Sequence, residues 1–312
     1  MKILTFSVDV HQAGLRLDQF LASVDPALSR REWRQVITLG GVHRDRKRMS
    51  RVASPVSEGE TYTVYMDGGE LKPKYSIHPG DLLLDDGDLL AVNKPPGVEA
   101  QPTHARYKGT VYAAVRDYLK SQGFYATIGM HSRLDREVSG VMVLSVSRRA
   151  HPGMTQIFQE RKVLKVYLGV VRNGPESETG RIDLSLKRHG GGSVAVTEGG
   201  KEACTDFRVM ERKDHVALVA FFPRTGRTHQ VRVHAGECGM PLIGDALYGE
   251  ISPLIDRPAL HAYSYVFRHP VTDAEVEITA PLPPDFLNLL RDTRLSLPGP
   301  VPGPPEFPSD PT

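Results

Sequence analysis

The period of apolar and polar positions changes several times along the chain, and each change marks an element. Residues 1–13 alternate, as an edge strand does. Leu17, Phe20 and Leu21 then fall at i, i+3 and i+4, one face of a helix that Asp25-Pro26 ends. Ser29 and Glu32 have the spacing of a capping box for a second helix. Trp33, Val36 and Ile37 supply its apolar side, and Arg30, Arg31 and Arg34 run along another. Gly40-Gly41 ends it, a short strand begins at Val42, and Thr61–Tyr65 alternates again. Leu82–Leu84 and Leu89–Val92 read as strands on either side of the turn Asp85–Asp88. Helical spacing returns at Val111, Val115 and Leu119, and again over residues 150–160 through Met154, Ile157 and Phe158. Between them, Val141–Val146 is short and rich in β-branched residues, the signature of a buried strand. The alternation over residues 161–171 puts Lys165, Tyr167 and Gly169 on one face and Val166, Leu168 and Val170 on the other. Strands are also expected at Val216–Phe222 and along Leu260–Phe267.

Composition changes divide the chain. Residues 68–80, rich in Gly, Pro and Lys, look like a linker between a first domain, 1–67, and a second, 81–290. Residues 173–200 are rich in Gly, Ser and charge, and Gly190–Gly192 is expected to be mobile. The segment 291–312, dominated by proline from Leu297 onward, is expected to be a disordered tail.

The chain has 312 residues and a formal net charge of +2, so any site for a polyanion must come from local clustering of Lys and Arg. Its two cysteines, Cys204 and Cys238, have no metal-ligand spacing and suggest neither a disulfide framework nor an oxidising compartment. No signal-peptide core and no membrane-length apolar run is evident, so a soluble cytoplasmic protein away from membranes is the expectation.

Two stretches concentrate chemistry. In His131–Gly140, Asp135 stands between Arg133 and Arg136, directly before the buried strand. A carboxylate held by guanidinium groups at the mouth of a cleft stays ionised and is a candidate nucleophile or base; a structural ion pair is the other reading. In Pro223–His234, three arginines and two histidines crowd around one Gly turn and a helix start, where Thr228, Val231 and Arg232 share a face. Such a cluster calls for an anionic partner, a phosphate or Asp135. No convincing further metal ligands accompany its histidines, and no metal is expected. The basic second helix and the following Arg44, Arg46, Lys47, Arg48 and Arg51 form a surface suited to phosphates.

Residues 14–66, through Arg16-Leu17-Asp18, Ser29-Arg30-Arg31, Gly40-Gly41-Val42 and Glu58-Gly59-Glu60, resemble the S4 RNA-binding module. From about 81 to 287 the chain resembles the RluA-type pseudouridine synthases, block by block and in order. The blocks are Asn93–Gly97, His131–Gly140, Lys165-Val166-Tyr167, Thr225–His234 with Gly244–Gly249, and Leu260-His261-Ala262 with Ala280–Pro283. The resemblance implies an α+β fold: a long, mostly antiparallel mixed sheet split by a catalytic cleft, preceded by the small S4 module. It implies isomerisation of uridine to pseudouridine in structured RNA without a cofactor, by a monomeric enzyme.

By position, Asp135 is then the catalytic carboxylate, as nucleophile or as base. Tyr167 stacks on the uracil and helps remove the C5 proton, and Arg232, before Arg227, is the salt-bridge partner of Asp135. Arg133 fills the gap left by a flipped base or holds the backbone. Asn93, Lys94, Lys165, Arg227 and His229, with Arg30, Arg31, Arg34 and Arg44 of the S4-like part, are candidate RNA contacts. Two positions depart from the family's pattern: Ser132 separates His131 from Arg133, and Val138 stands where Thr is common. Ribosomal RNA of the large subunit is the expected target, with transfer RNA second. An RNA-binding or ribosome-assembly factor without catalysis is the alternative.

Overall fold

The computed structural model describes residues 2–67, 71, 75–189, 192–296 and 299–306, in two compact units. The first comprises residues 1–77 and 98–125, the second 78–97 and 126–312. The chain therefore crosses between units three times. Residues 68–70 and 72–74 of the expected linker, two of the three glycines at 190–192, and residues 297–298 and 307–312 of the tail lie outside the described residues.

In the first unit, β1 (Lys2–Ser7), β2 (Val42–Arg44), β3 (Lys47–Arg48) and β4 (Thr61–Met66) form an antiparallel sheet in the order β1-β4-β2-β3. The helices α1 (Leu17–Val24) and α2 (Arg30–Leu39) bury Leu17, Phe20, Leu21, Trp33, Val36 and Ile37 in one core with Val42, Tyr62 and Val64. The capping box is formed: the Ser29 N–H donates to Glu32 Oε2 at 2.7 Å and the Glu32 N–H to Ser29 Oγ at 3.3 Å. Residues 98–125 add α3 (Val111–Ser121), and the Tyr107 N–H donates to the Leu39 carbonyl at 2.7 Å.

The second unit holds β5 (Leu82–Asp85), β6 (Leu89–Lys94), β7 (Gly129–Met130), β8 (Ser139–Ser145), α4 (Ala150–Gln159), β9 (Leu164–Arg172) and β10 (Thr179–Asp183). It continues with β11 (Leu186–Arg188), β12 (Val194–Val196), β13 (Cys204–Lys213), β14 (Val216–Pro223), α5 (Gln230–Glu237), β15 (Leu260–Arg268), β16 (Glu275–Thr279) and α6 (Pro284–Asp292). A ten-stranded sheet runs β10-β13-β14-β9-β15-β8-β6-β5, with β16 beside β15 and β7 beside β8. Every pairing is antiparallel except β8 with β15. The segment 173–200, rich in Gly, Ser and charge, contributes β10 to the sheet and pairs β11 with β12 in a separate hairpin.

The alternation along β9 is realised. Val166, Leu168 and Val170 pack into a core with Leu218, Ala220, Phe222 and, from α6, Phe286, Leu289 and Leu290. That leaves Lys165 and Tyr167 for the opposite face. The tail differs from its expectation: residue 291 still lies in α6, Leu295 belongs to this core, and Val301 packs against it. Spaced apolar side chains are enough to seat a proline-rich segment on a ready-made surface. Among the described residues no helix is long and apolar enough to cross a membrane.

Candidate active site

Asp135 lies in the loop between β7 and β8, and this loop is held from two sides. The Arg136 carbonyl accepts from the Gly97 N–H at 2.8 Å and from Lys94 Nζ at 2.9 Å, and Lys94 also donates to the Pro95 carbonyl at 2.9 Å. Lys94 is fully buried. The Asn93–Gly97 block thus braces the peptide that follows Asp135, and Lys94 is a support of the loop rather than an RNA contact. From the other side the buried Arg257 donates to the Glu137 carbonyl at 3.3 Å while its Nε grips Asp285 of α6 at 2.6 Å. At the end of the loop, Gly140 has φ 116° and a Cβ there would stand 2.1 Å from the Ala262 carbonyl oxygen. Only glycine lets β8 enter alongside β15 at this spacing. Ser139 Oγ is 2.9 Å from His261 Nδ1, whose other nitrogen is 3.2 Å from the Ala280 carbonyl. Burial drives His261 down to about 4, so it stays neutral and serves as a tie between strands.

The sequence neighbours of Asp135 do not supply its counter-charge. Arg133 is exposed, and Arg136 turns to Glu137 with 2.6 Å between Nε and Oε1. The charge comes from α5: Arg232 Nη1 reaches Asp135 Oδ2 at 3.3 Å. Arg232 is held more tightly by Asp245, through Nε at 2.7 Å and Nη2 at 2.8 Å, and its guanidinium lies over the Tyr248 ring at 5.1 Å. A fixed fork between two carboxylates presents its remaining N–H to Asp135 in one orientation. Asp245 is itself fully buried and accepts the main-chain N–H groups of Leu247 and Tyr248 at 3.1 and 3.3 Å. The role of the Gly244–Gly249 block is therefore to anchor Arg232.

Tyr167 is half-buried on β9, with its hydroxyl 3.0 Å from that of Tyr265. Burial, the Tyr265 hydroxyl and the charge of Asp135 all push the Tyr167 phenol well above its ordinary value. It offers a ring and a neutral hydroxyl, and a phenolate base is disfavoured. Lys165, two residues along the same face, donates to the Thr225 carbonyl at 3.2 Å. Burial, with Arg161 nearby, lowers it to about 8. Arg227 is half-buried and donates to the Glu202 carbonyl at 2.9 Å, which removes it from the Asp135 pairing. His229 stands at the start of α5 with φ 55°, its Nε2 3.9 Å from Asp135 Oδ2. Asn93, at the end of β6, is half-buried beside the loop-bracing Lys94.

His131 faces away from this group. Its Nε2 lies 2.7 Å from Ser145 Oγ, which is in turn 2.5 Å from His151 Nδ1, and its ring stacks on Phe158 of α4. The first residue of the motif is a packing residue. Gln230 was not singled out by sequence, yet it is buried and organises the turn before α5. It accepts from Thr225 Oγ1 at 2.7 Å and from the Arg227 N–H at 2.9 Å, and donates to the Cys204 carbonyl at 2.9 Å. A polar residue at a helix start, shortly after Thr225-Gly226 and Thr228, was the available signal.

In the first unit the basic residues are not equivalent. Asp18, fully buried, receives Arg16 Nε at 3.0 Å and Arg30 and Arg34 Nε at 2.8 Å each, and all three arginines remain partly exposed. Arg31 is exposed, whereas Arg44 is tied to Glu60 at 2.5 Å. Three oriented guanidinium groups on one face form a surface suited to phosphate oxygens.

A carboxylate gripped by an anchored arginine and near an aromatic ring of a mixed sheet, with a basic module earlier in the chain, is an arrangement suited to chemistry on a nucleic acid. Comparison with known proteins agrees. Residues 88–237 match the RNA pseudouridylate synthase family and residues 15–61 the S4 domain. The chain is 31% identical to the ribosomal large subunit pseudouridine synthase D of Vibrio vulnificus, over 93% of this chain and 94% of that one. It is 32% identical to an RNA pseudouridine synthase of Aquifex aeolicus, over 86% and 90% of the two chains. Among solved structures, human RNA pseudouridylate synthase domain containing 4 shares the fold, with a TM-score of 0.59 and 24% identity over 70% of this chain and 94% of that one. The chain belongs to the RluA-type RNA pseudouridine synthases and carries an S4 domain at its N-terminal side.

Proposed function

We propose that this enzyme isomerises uridine in large-subunit ribosomal RNA, and that Asp135 is the carboxylate that engages the target nucleotide. The observation that carries the assignment is the grip of Arg232 on Asp135 Oδ2 at 3.3 Å, with Arg232 itself fixed by Asp245. A carboxylate so held is oriented and remains partly open to solvent, as a reacting group must be. The relatives named for the ribosomal large subunit, matched over nearly the whole chain, support the choice of RNA. In the reaction the N1–C1′ bond breaks and a C5–C1′ bond forms, C5 gives up its proton and N1 gains one. Atoms and electrons balance within the nucleotide, so the reading requires no cofactor. Uridine leaves its stack to expose C5, at a cost of a few kcal/mol. Tyr167 offers the ring on which uracil rests, and Lys165, Arg133 and the Asp18-bound arginines offset that cost through phosphate contacts. The same reading makes the protein a monomeric cytoplasmic enzyme.

The test uses RNA labelled with tritium at uridine C5, because each turnover releases that proton to water. Large-subunit ribosomal RNA should lose tritium with the wild-type protein, and Asp135→Asn should reduce release by at least ~1000-fold while binding RNA about as well, as removal of an essential reacting group does. Near wild-type release by Asp135→Asn would refute the assignment. Release from transfer RNA and none from ribosomal RNA would replace the proposed target.

A further inference from the structure

Behind Asp135 stands a chain of donors that the assigned roles do not use. The Val194 N–H, on the β11–β12 hairpin, donates to the Tyr248 hydroxyl oxygen at 2.8 Å. That oxygen lies 2.7 Å from His229 Nδ1. A phenol oxygen already accepting a main-chain N–H directs its own proton at the other neighbour, so Tyr248 donates to Nδ1. The nitrogen that accepts carries no proton, and in the neutral ring the proton is on Nε2. Burial lowers His229 from its ordinary value, which keeps the ring neutral at neutral pH. The backbone of His229 is in the left-handed region with φ 55°, a conformation that a β-carbon-bearing residue keeps only when its surroundings hold it there.

Nε2 faces Asp135 Oδ2 across 3.9 Å, and Arg232 Nη1 reaches the same oxygen at 3.3 Å. Oδ1 has no hydrogen-bond partner among the described residues. We propose that His229 is a positioning residue, locked by Tyr248 as the Nε2–H tautomer, which closes on Oδ2 when RNA binds and with Arg232 leaves Oδ1 as the reacting oxygen. This rests on the reading of Asp135 as the reacting carboxylate. A separation of 3.9 Å exceeds a hydrogen bond, and catalytic hydrogen bonds often shorten to full strength in the substrate complex. A neutral donor steers the carboxylate without adding a second full positive charge, which would weaken it as nucleophile or base.

The test is a double-mutant cycle with His229→Leu and Tyr248→Phe, read as single-turnover tritium release at saturating RNA. The phenylalanine keeps a ring under the Arg232 guanidinium and removes only the hydroxyl. Each single variant should slow turnover by about 10- to 100-fold, the span of one hydrogen bond to a charged group, with RNA affinity changed by less than about twofold. The double variant should be no slower than His229→Leu, because Tyr248 acts through His229. Tyr248→Phe should also move the acid limb of the rate–pH profile upward, since the donor that favours the neutral ring is gone. Penalties that multiply in the double variant, or a loss confined to RNA affinity, would overturn the proposal. If His229→Leu does not fold, the acid limb of Tyr248→Phe decides alone, and an unmoved limb overturns it. Failure of the parent reading looks different: wild-type protein would release no tritium, or Asp135→Asn would release it normally.

Discussion

Lys165 ties the residue scale to a measurable pH dependence. Its ammonium has one carbonyl partner, Thr225 at 3.2 Å, and burial beside Arg161 brings its pKa down to about 8. A lowered lysine is charged below that value and loses its charge as pH rises through it. On the proposed reading, the charge that Lys165 offers to RNA phosphate should thus be present at pH 7 and largely gone at pH 9. RNA affinity should fall across that interval in wild-type protein by roughly three- to tenfold, about the weight of one phosphate contact. In Lys165→Arg, which stays charged, affinity should be flat over the same interval; an equal fall in both would remove Lys165 from the RNA contacts. Lys94 gives the opposite outcome, being fully buried on two carbonyls. Lys94→Met should cost about 2–4 kcal/mol in unfolding free energy, from the stranded carbonyls and the disturbed loop. A variant of normal stability with weakened RNA binding would contradict this. The two lysines also mark what sequence could deliver at this scale. Both were legible as members of motif blocks, yet their opposite roles depend on which carbonyls the folded chain brings to each ammonium. The same holds for Arg232: its pairing with Asp135 was legible, whereas its tighter bond to Asp245 arises between a residue of α5 and one of the loop that follows it.

At the scale of elements, the passage of β8 beside β15 places the carboxylate. The pair is parallel over His261–Ser139 and Ala262–Gly140 only, so the loop carrying Asp135 ends where this contact begins. With a Cβ at residue 140 set 2.1 Å from the Ala262 oxygen, Gly140→Ala must push the strands apart or change φ from 116°. The expected cost is about 3 kcal/mol or more in stability, with activity lost in whatever fraction still folds. Thermal unfolding of Gly140→Ala together with single-turnover release reads both; a variant melting within a degree of wild type would show that the strands have room. The strand itself was plain from Val141–Val146, and so were the two faces of β9. The sheet's far edge was not. The strands at residues 179–183 and 204–213 carry Arg181, Asp206, Arg208 and Arg212, so polar and apolar positions do not separate into two clean faces. Their place comes from partners, since β13 pairs along its length with β14 and buries Asp206 beneath Arg181 and Arg224.

At the scale of the whole molecule, the two units carry separate cores, and the chain's single tryptophan, Trp33, is fully buried in the first. Its fluorescence reports the S4-containing unit alone, which makes the charge cluster on that unit testable in isolation. Burial by itself would raise the Asp18 carboxyl, but the bonds from Arg30, Arg34 and Arg16 outweigh it and bring the group down to about 2, from 3.8. A carboxylate whose folded pKa is depressed adds stability that is complete above its unfolded value and is lost as pH falls toward the folded one. The window is therefore between about pH 4 and pH 2. Because the three guanidinium groups are nearly half-exposed, solvent screening leaves roughly 1 kcal/mol of that stabilisation. Other carboxylates also titrate there, so the informative quantity is the difference between wild type and Asp18→Asn in Trp33-monitored unfolding. That difference should be full at pH 6, shrink below pH 4 and close near pH 2, where a protonated Asp18 resembles the amide. A difference that stays constant across this range would mean that Asp18 acts through packing and not through its charge. The same variant bears on RNA: without the shared carboxylate the three arginines lose their common orientation. Affinity for RNA should then weaken by a few-fold, even though the variant gains one unit of net positive charge.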